Sequence, residues 1–320
     1  IPLVASGERF SVGLNIGTTD PDAGFKYVDF VGLFRTEFLY MQSESMPSED
    51  EQFAAYKKVL ANAMGNPVTL RTLDIGGDKS LPYLDIPKED NPFLGNRALR
   101  LCLEHTELFE TQLRAALRAS AFGPMQIMFP MVGTIDDVRA GNAAVEKVKA
   151  DLRSEGIPFD EKIKVGIMIE IPSIAMIADM AALETDFASV GTNDLTQYLH
   201  AVDRMNPKIV SYYQSYSPAM YRILGKIFKE YNEAGKPISV CGELAGEPLA
   251  AIVLFGLGLR KFSMNASKIA HVKRILSLFT LEETENIAER VMNLQTQSDV
   301  IAYLKAEVAK REKKLSEAAE

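Results

Sequence analysis

Short apolar runs of strand length recur along the whole chain, and segments with the apolar spacing of helices separate them. Apolar runs that alternate with helices are typical of a parallel sheet covered on both faces. We predict eight strands, at residues 10–17, 30–35, 68–74, 125–132, 164–171, 187–191, 238–241 and 261–265. Because no linker or repeat divides the chain, residues 1–320 are expected to form one (β/α)8 barrel of eight strand–helix units, the TIM-barrel architecture.

Two segments depart from a regular succession of strands and helices. Residues 75–96, after the third strand, are rich in glycine and proline and predict an extended loop. Loops of this length inside compact domains usually carry function or are disordered. The charged segment 298–320 predicts an extra C-terminal helix. The other helices are placed at 48–64, 97–103, 107–120, 135–155, 172–183, 197–235 with two interruptions, 247–255, 267–278 and 281–294.

Composition changes this picture mainly through charge. The 320 residues carry 35 Lys and Arg against 43 Asp and Glu, a formal net charge of −8. This excess of acid argues against a nucleic-acid-binding or anionic-membrane surface, and no apolar stretch reaches the ~18 residues of a membrane span. Two cysteines give no disulfide framework, and the first ten residues do not resemble a signal peptide, so we expect a cytoplasmic protein.

Two arginines, Arg35 and Arg71, lie where neighbouring strands end. In a parallel barrel the C-terminal strand ends line the catalytic mouth, and the planar guanidinium binds phosphate or carboxylate through two parallel bonds. The two arginines together are therefore predicted to bind an anion. The alternative for each one is a structural ion pair with a nearby carboxylate such as Glu37 or Asp74.

Two further cations flank the extended loop. Lys79 follows a glycine-rich turn that begins at Asp74, where backbone amides can cradle phosphate, although an ordinary turn explains the same pattern. Arg97 lies at the predicted start of a helix, where a cation opposes the helix dipole. Because this position costs stability, we predict that the side chain of Arg97 reaches into the mouth. The alternative is a solvent-exposed arginine.

Carboxylates end two successive apolar strands. Glu170 interrupts the fifth strand, where burial without a partner would be expensive, and Asp194 follows Asn193 at the end of the next apolar run. Two carboxylates that leave positions open for water and substrate oxygens suit Mg²⁺, with Mn²⁺ as a second possibility. Glu170 and Asp194 therefore predict a divalent-metal site. The alternative for Asp194 is a helix N-cap.

A single thiol, Cys241, ends the seventh strand. A lone cysteine in an apolar strand is more often a small core residue, but a position at the strand end, before Gly242 and Glu243, favours a reactive role. An unperturbed thiol, with a pKa of ~8.5, is mostly protonated at neutral pH, which suits a proton donor as well as a nucleophile. No histidine motif accompanies Cys241, so a Cys–His protease is not supported.

Taken in order, these motifs resemble the C-terminal domain of Enzyme I of the bacterial phosphoenolpyruvate:sugar phosphotransferase system. The resemblance covers essentially the whole chain and rests on segments 32–40, 71–79, 91–97, 191–198, 202–204 and 241–246. Pyruvate phosphate dikinase and phosphoenolpyruvate synthase share the barrel and parts of these motifs. The sequences Gly-Thr-Asn-Asp-Leu-Thr-Gln-Tyr, from Gly191, and Cys-Gly-Glu-Leu-Ala-Gly, from Cys241, look more like Enzyme I.

The resemblance implies a role for each candidate residue. Glu170 and Asp194 would hold Mg²⁺, and Cys241 would protonate C3 of enolpyruvate to give pyruvate. Phosphoenolpyruvate would be bound by Arg35, Arg71, Asn193, Asp194 and Arg204, with Arg97 and Lys79 assisting at the phosphate. The resemblance also implies a homodimer and two protein partners, a phosphohistidine domain of the same enzyme and then HPr.

The chain has no counterpart of the family's phosphocarrier segment, a Gly-Gly-x-x-Ser/Thr-His pattern. We therefore expect this chain to bind phosphoenolpyruvate and Mg²⁺ while the phosphoryl acceptor lies outside it. Two other classes of function stay open. One is a free-standing Mg²⁺-dependent lyase or aldolase acting on phosphoenolpyruvate or pyruvate, and the other is a non-catalytic ligand-sensing and dimerisation module.

Overall fold

Eight parallel strands close into a barrel in the computed structural model, which describes residues 2–20 and 24–318. The strands are β1 Ser11–Ile16, β2 Phe30–Arg35, β3 Val68–Arg71, β4 Met125–Phe129, β5 Lys164–Ile169, β6 Ala188–Val190, β7 Ile238–Val240 and β8 Lys261–Met264. Each strand pairs with the next one along the chain, and β8 pairs back with β1. The predicted (β/α)8 barrel is confirmed.

Helices surround the barrel. They are α1 Glu37–Met41, α2 Glu49–Asn62, α3 Leu99–Glu104, α4 Thr106–Ser120, α5 Ile135–Ser154, α6 Pro172–Met176, α7 Ala178–Glu184, α8 Thr192–His200, α9 Pro218–Glu233, α10 Pro248–Gly256, α11 Ile269–Ser277, α12 Leu281–Met292 and α13 Gln297–Ala318. Between β1 and β2, where the sequence predicts a loop, the described residues include a short 3₁₀ turn at Phe25–Tyr27. The predicted extra helix is α13, while residues 1, 21–23, 319 and 320 of the predicted domain lie outside the described residues.

Local sequence signals set the starts of three long helices. Ser48 accepts a hydrogen bond from the N–H of Glu51, and the Glu51 carboxylate accepts one from the N–H of Ser48, which is a capping box. Thr134 and Thr280 begin α5 and α12 in the same way. These bonds satisfy N–H groups that the first turn of a helix leaves without partners, so the starts are fixed locally.

The boundaries around Arg97 differ from the prediction. β3 ends at Arg71 rather than at residue 74, and α3 begins at Leu99 rather than at Arg97. Ala98 takes a φ of 55°, in the left-handed region that breaks a right-handed helix. Arg97 therefore precedes the helix, and the prediction that it opposes the dipole of the first turn is wrong.

The boundaries after β5 and β6 differ as well. The predicted helix 172–183 is two helices, because Ile177 between α6 and α7 takes φ −112° and ψ 35°. α8 begins at Thr192, so Asn193 and Asp194 belong to its first turn and not to the end of β6. An acid near a helix N-terminus is favoured by the helix dipole, which allows the helix to begin before Asp194.

The buried apolar side chains form two groups. The larger group fills the space between the strands and the surrounding helices. A smaller group lies inside the barrel and consists of Leu33, Met128, Met168, Phe187 and Cys241. We call these five residues the inner cluster. Leu33, Met168 and Cys241 form the apolar floor of the C-terminal mouth, whereas Phe187 directly precedes β6, at the opposite end of the barrel.

The extended loop after β3 leaves the barrel and returns to nearly the same place. The N–H of Ala98 donates to the carbonyl of Ile75 at 2.9 Å, which joins the two ends of the loop. Gly76 takes a φ of 107°, and a Cβ there would lie 3.0 Å from the backbone of Arg97, so glycine is required at this close approach. No helix among the described residues is long and apolar enough to cross a membrane.

Candidate active site

One cavity of about 120 Å³ lies at the C-terminal end of the barrel, and its wall includes every candidate residue of the sequence analysis. These residues are Arg35, Arg71, Lys79, Arg97, Glu170, Asn193, Asp194, Arg204 and Cys241. Residues far apart in sequence meet here because parallel strands all end at the same rim of a barrel. We call this cavity the mouth cavity.

Arg71 is fixed by two carboxylates. Its Nη2 lies 3.1 Å from Oε1 of Glu37, and its Nη1 lies 3.3 Å from Oδ2 of Asp74. Burial would lower the pKa of Arg71, but Glu37 and Asp74 raise it above its usual value. The ion pair considered as an alternative for Arg71 is therefore present, and it holds a permanently charged guanidinium at the mouth cavity.

Arg35 differs from Arg71 in its surroundings. Among residues 2–20 and 24–318, no carboxylate comes within salt-bridge distance of its guanidinium, so the ion-pair alternative does not hold for Arg35 in this structure. Burial, and then the positive charge of Arg71, lower the pKa of Arg35. A largely buried cation with a cationic neighbour and no ion pair attracts an anion.

Arg97 bridges two acids beneath the extended loop. Its Nε lies 3.0 Å from Oδ1 of Asp74, and its Nη2 lies 2.9 Å from Oδ2 of Asp194. The residue is 3% exposed, so the alternative of a solvent-exposed arginine is wrong. Arg204 approaches the same acid from the other side, with Nη2 3.4 Å from Oδ1 of Asp194.

Tyr198 connects Arg97 to the extended loop. Its hydroxyl accepts a hydrogen bond from Nη1 of Arg97 at 3.1 Å and donates one to the carbonyl of Phe93. Burial raises the pKa of Tyr198 to about 12, so the hydroxyl stays protonated and keeps both bonds. Tyr198 lies one turn after Asp194 on α8, which places both side chains on the same helix face.

Glu170 is a buried carboxyl directly after β5. Its Oε1 accepts a hydrogen bond from the N–H of Met131 at 2.7 Å, and a Cβ on Gly191 would lie 2.7 Å from its Oε2. Burial, together with the charges of Asp194 and Asp74, raises the pKa of Glu170 to about 8. A carboxyl in this state gains from a nearby cation.

Glu170 and Asp194 are the two acids of the mouth cavity that the sequence analysis assigned to a metal ion. The described part of the chain holds no group of three or more His, Cys, Asp or Glu side chains with metal-binding geometry. Mg²⁺, however, is usually held by one or two carboxylates and completes its shell with water and substrate phosphate. Glu170 fits such a site, because a bound cation would stabilise its ionised form, which burial and the neighbouring acids disfavour. The N-cap alternative for Asp194 is wrong, because Gly191 occupies that position.

Asn193, in the first turn of α8, and Lys79, in the extended loop, complete the wall of the mouth cavity. Oδ1 of Asn193 accepts a hydrogen bond from the N–H of Glu243 at 2.9 Å, so this amide also holds the segment that follows Cys241. Lys79 pairs with Gly76 through two backbone hydrogen bonds, of 2.9 and 3.2 Å. The glycine-rich turn is thus an ordinary turn in its backbone, and its lysine lines the cavity.

Cys241 belongs both to the inner cluster and to the wall of the mouth cavity. It is 1% exposed, and burial raises the pKa of its thiol. The thiol is therefore protonated at neutral pH. This state suits a proton donor better than a nucleophile, which must be a thiolate.

Sequence reasoning missed residues that line the mouth cavity or that hold its lining residues in place. Asp74 enters the sequence analysis only as a possible partner for Arg35 or Arg71 and as the start of the glycine-rich turn, yet it also holds Arg97, and Tyr198 was given no role. The i, i+4 spacing from Asp194 to Tyr198 was the available signal for Tyr198. Asn15, near the end of β1, donates a hydrogen bond to the carbonyl of Cys241, and its polar side chain in an apolar strand was the signal there.

The chain is similar to known proteins over almost its whole length. The family model described as "PEP-utilising enzyme, PEP-binding domain" matches residues 2–280. A phosphoenolpyruvate-protein phosphotransferase from Geobacillus stearothermophilus is 47% identical over 305 residues, which are 95% of this chain and 53% of that protein. Its namesake from Bacillus subtilis (strain 168) is 47% identical over 301 residues, or 93% of this chain and 53% of the relative. The chain thus spans about half the length of these relatives.

Solved structures are similar at a lower level. A citrate lyase from Burkholderia xenovorans LB400 is 16% identical, covers 84% of this chain and 90% of its own, and has a TM-score of 0.42.

Proposed function

This chain belongs to the PEP-binding domain family of PEP-utilising enzymes, and from that premise we propose that it binds phosphoenolpyruvate with Mg²⁺ and supports transfer of the phosphoryl group to a histidine. The histidine would lie on a phosphohistidine domain outside this chain, which would then pass the group to HPr. We also propose that the protein acts in the cytoplasm as a homodimer. The basis for these partners is the likeness to relatives named phosphoenolpyruvate-protein phosphotransferase.

The observation that carries the proposal is that some cations of the mouth cavity are neutralised by carboxylates of the protein and others are not. Arg71 and Arg97 are neutralised by Asp74, Glu37 and Asp194. Arg35 has no such partner among the described residues, and Arg204 shares Asp194 with Arg97. Phosphoenolpyruvate carries a carboxylate and a phosphate. Cations that the protein leaves without ion pairs are suited to such a ligand.

Each side chain would have a separate task in phosphoryl transfer. Arg35, Arg71 and Arg204 would hold the substrate's anionic groups, assisted by Asn193. Transfer of a phosphoryl group needs positioning and stabilisation of spread negative charge more than covalent chemistry. Arg97 and Lys79 would add positive charge near the phosphate, and the two paired arginines would keep their orientation because the carboxylates fix them.

Glu170 and Asp194 would hold the metal ion. When bound, Mg²⁺ neutralises phosphate charge and orients the phosphate oxygens. In this structure Asp194 is engaged by Arg97 and Arg204, so its carboxylate would be shared between the arginines and the ion. Cys241 would then donate its proton to C3 of enolpyruvate, which gives pyruvate.

Substitution of Arg35 tests the proposal. A charge-assisted contact contributes roughly 1.5–3 kcal/mol, so Arg35→Ala should weaken phosphoenolpyruvate binding by about tenfold or more in the presence of Mg²⁺. Isothermal titration calorimetry on this chain measures the affinity. The matched control is Arg139→Ala, which removes a surface arginine paired with Glu184 and should leave the affinity unchanged.

The same experiment can contradict the proposal in two ways. Wild-type protein that fails to bind phosphoenolpyruvate with Mg²⁺, or that binds inorganic phosphate equally well, would remove phosphoenolpyruvate as the ligand. Pyruvate release, followed by a coupled assay after addition of the phosphohistidine domain, tests the transfer step. Turnover of a pyruvate-derived substrate by this chain alone would instead support a lyase or aldolase.

A further inference from the structure

The carbonyl of Cys241 lies beyond the end of the barrel's hydrogen-bonded ladder. β7 pairs with β8 only through Val240↔Phe262, so β8 supplies no partner at Cys241. On the other side, the N–H of Cys241 still donates to the carbonyl of Val190 at 3.1 Å. A buried backbone carbonyl needs a hydrogen-bond donor, and the partner here must come from elsewhere.

Asn15 supplies that donor from two strands away. Its Nδ2 lies 2.7 Å from the carbonyl oxygen of Cys241, and the hydroxyl of Ser263 on β8 donates to its Oδ1 at 2.6 Å. A carbonyl can only accept, so the amide must present its nitrogen to Cys241 and its oxygen to Ser263. Both ends of the amide are therefore fixed. Ser263 is fully buried and Asn15 is partly buried.

The segment after Cys241 is held closely as well. A Cβ on Gly242 would lie 1.9 Å from Oγ1 of Thr192, and the N–H of Glu243 donates to Asn193. By contrast, the contact of the thiol with the carbonyl of Val190 is long, at 3.7 Å. The position of the thiol therefore depends on this backbone, together with the packing of the inner cluster around it.

We propose that Asn15, supported by Ser263, is a positioning residue that aims the Cys241 thiol at the reacting carbon. The inference rests on the proposed role of Cys241 as proton donor. In that step the S–H bond breaks and the electrons of the enolpyruvate C=C bond form a C–H bond at C3. Phosphoryl departure leaves the substrate oxygen as an enolate, whose lone pair forms the C=O bond of pyruvate, and a thiolate remains to be reprotonated by solvent. Proton transfer of this kind depends strongly on alignment.

The first test separates catalysis from binding. In the complete enzyme, with its phosphohistidine domain, Asn15→Ala should lower kcat for pyruvate formation about tenfold or more, with KM for phosphoenolpyruvate changed by less than about twofold. The matched control is Asn142→Ala, which removes another amide-to-carbonyl hydrogen bond, 3.0 Å long, to Glu184 far from the mouth cavity. A kcat equal to that of the control, or a loss of affinity as large as the loss of kcat, overturns the proposal.

The second test measures the thiol directly and needs no phosphoryl transfer. Iodoacetamide labelling of Cys241, followed by peptide mass spectrometry, should be at least about threefold faster in Asn15→Ala and Ser263→Ala than in Asn142→Ala, because a released backbone lets the thiol move. Labelling at the control rate in both variants overturns the proposal. If the wild-type complete enzyme releases no pyruvate, the proposed function fails, while the labelling result still decides whether Asn15 positions the thiol.

Discussion

The carboxyl of Glu170 is buried beside Asp74 and Asp194, and its pKa of about 8 lies above its ordinary value of 4.5. As pH rises from 4.5 to 8, the unfolded chain loses this proton while the folded chain keeps it, so the free energy of unfolding falls. Glu170→Gln removes this cost. In metal-free buffer we expect the variant to be more stable at pH 8 by roughly 1–4 kcal/mol, measured by urea unfolding.

The control for Glu170 is a neighbouring acid whose pKa is shifted in the opposite direction. Burial would raise the pKa of Asp74, but Arg71 and Arg97 lower it well below its usual range. Asp74 therefore contributes stability above pH 3.8, which is lost as pH falls below that value. Asp74→Asn should destabilise the protein at neutral pH. Equal effects of both substitutions at pH 8 would contradict the assigned environments.

The two cysteines allow packing and chemistry to be separated. Cys102 and Cys241 are both buried and free, but only Cys241 lines the mouth cavity. Either Cys→Ala substitution should cost a modest amount of stability. In the complete enzyme, Cys241→Ala should keep phosphoenolpyruvate affinity and lose pyruvate formation by about 100-fold, while Cys102→Ala should keep both. Normal pyruvate release by Cys241→Ala in a coupled assay would return Cys241 to a packing role.

At the scale of elements, the extended loop is tied to α8 by the hydroxyl of Tyr198 and, at its C-terminal end, by the ion pair of Arg97 with Asp194. Tyr198→Phe keeps the ring but removes the bonds to Phe93 and Arg97. Loss of these bonds should cost about 1–2 kcal/mol and should speed hydrogen exchange in residues 75–96, because the ion pair of Arg97 with Asp194 holds only the C-terminal end of the loop to α8. The matched control is Tyr212→Phe, at an exposed tyrosine. Unchanged exchange in the loop would show that other contacts hold it.

The sequence predicted the strands well and the loop residues less well, for a physical reason. The local alternation of apolar residues predicts where a strand such as β2 ends, at Arg35. Closure of the barrel then brings the ends of all strands to the same rim. Arg97, in contrast, reaches the mouth cavity because of the left-handed φ of Ala98 and its bonds to Asp74 and Asp194. Those bonds join residues far apart in sequence, so no local pattern could predict them.

At the scale of the whole molecule, closure of the barrel assembles the site. The β1–β8 pairing places Asn15 within reach of Cys241, and β2 to β6 carry the arginines and acids in chain order around the same rim. The inner cluster separates these charges from the rest of the barrel interior. Charged groups on one side and an apolar floor on the other support the proposal that an anion and a cation bind together in the mouth cavity.

Ligand binding at the mouth cavity should therefore stabilise the whole barrel. A ligand at about 100 times its Kd adds roughly 2.7 kcal/mol to the free energy of unfolding, which corresponds to a rise in Tm of about 4 °C for a chain of this size. We expect phosphoenolpyruvate with Mg²⁺ to give this rise in differential scanning fluorimetry. With EDTA the rise should be smaller, because Glu170 and Asp194 then have no ion to share with the phosphate.

Glu170→Gln is the control for this metal dependence, because it removes one proposed ligand and keeps the cavity shape. In this variant, phosphoenolpyruvate should give the same small rise in Tm with Mg²⁺ and with EDTA. If the variant keeps the full Mg²⁺-dependent rise, Glu170 does not hold the metal ion. If wild-type protein shows the full rise in Tm in EDTA, the arginines alone account for binding. The buried carboxyl of Glu170 then has a role other than metal binding.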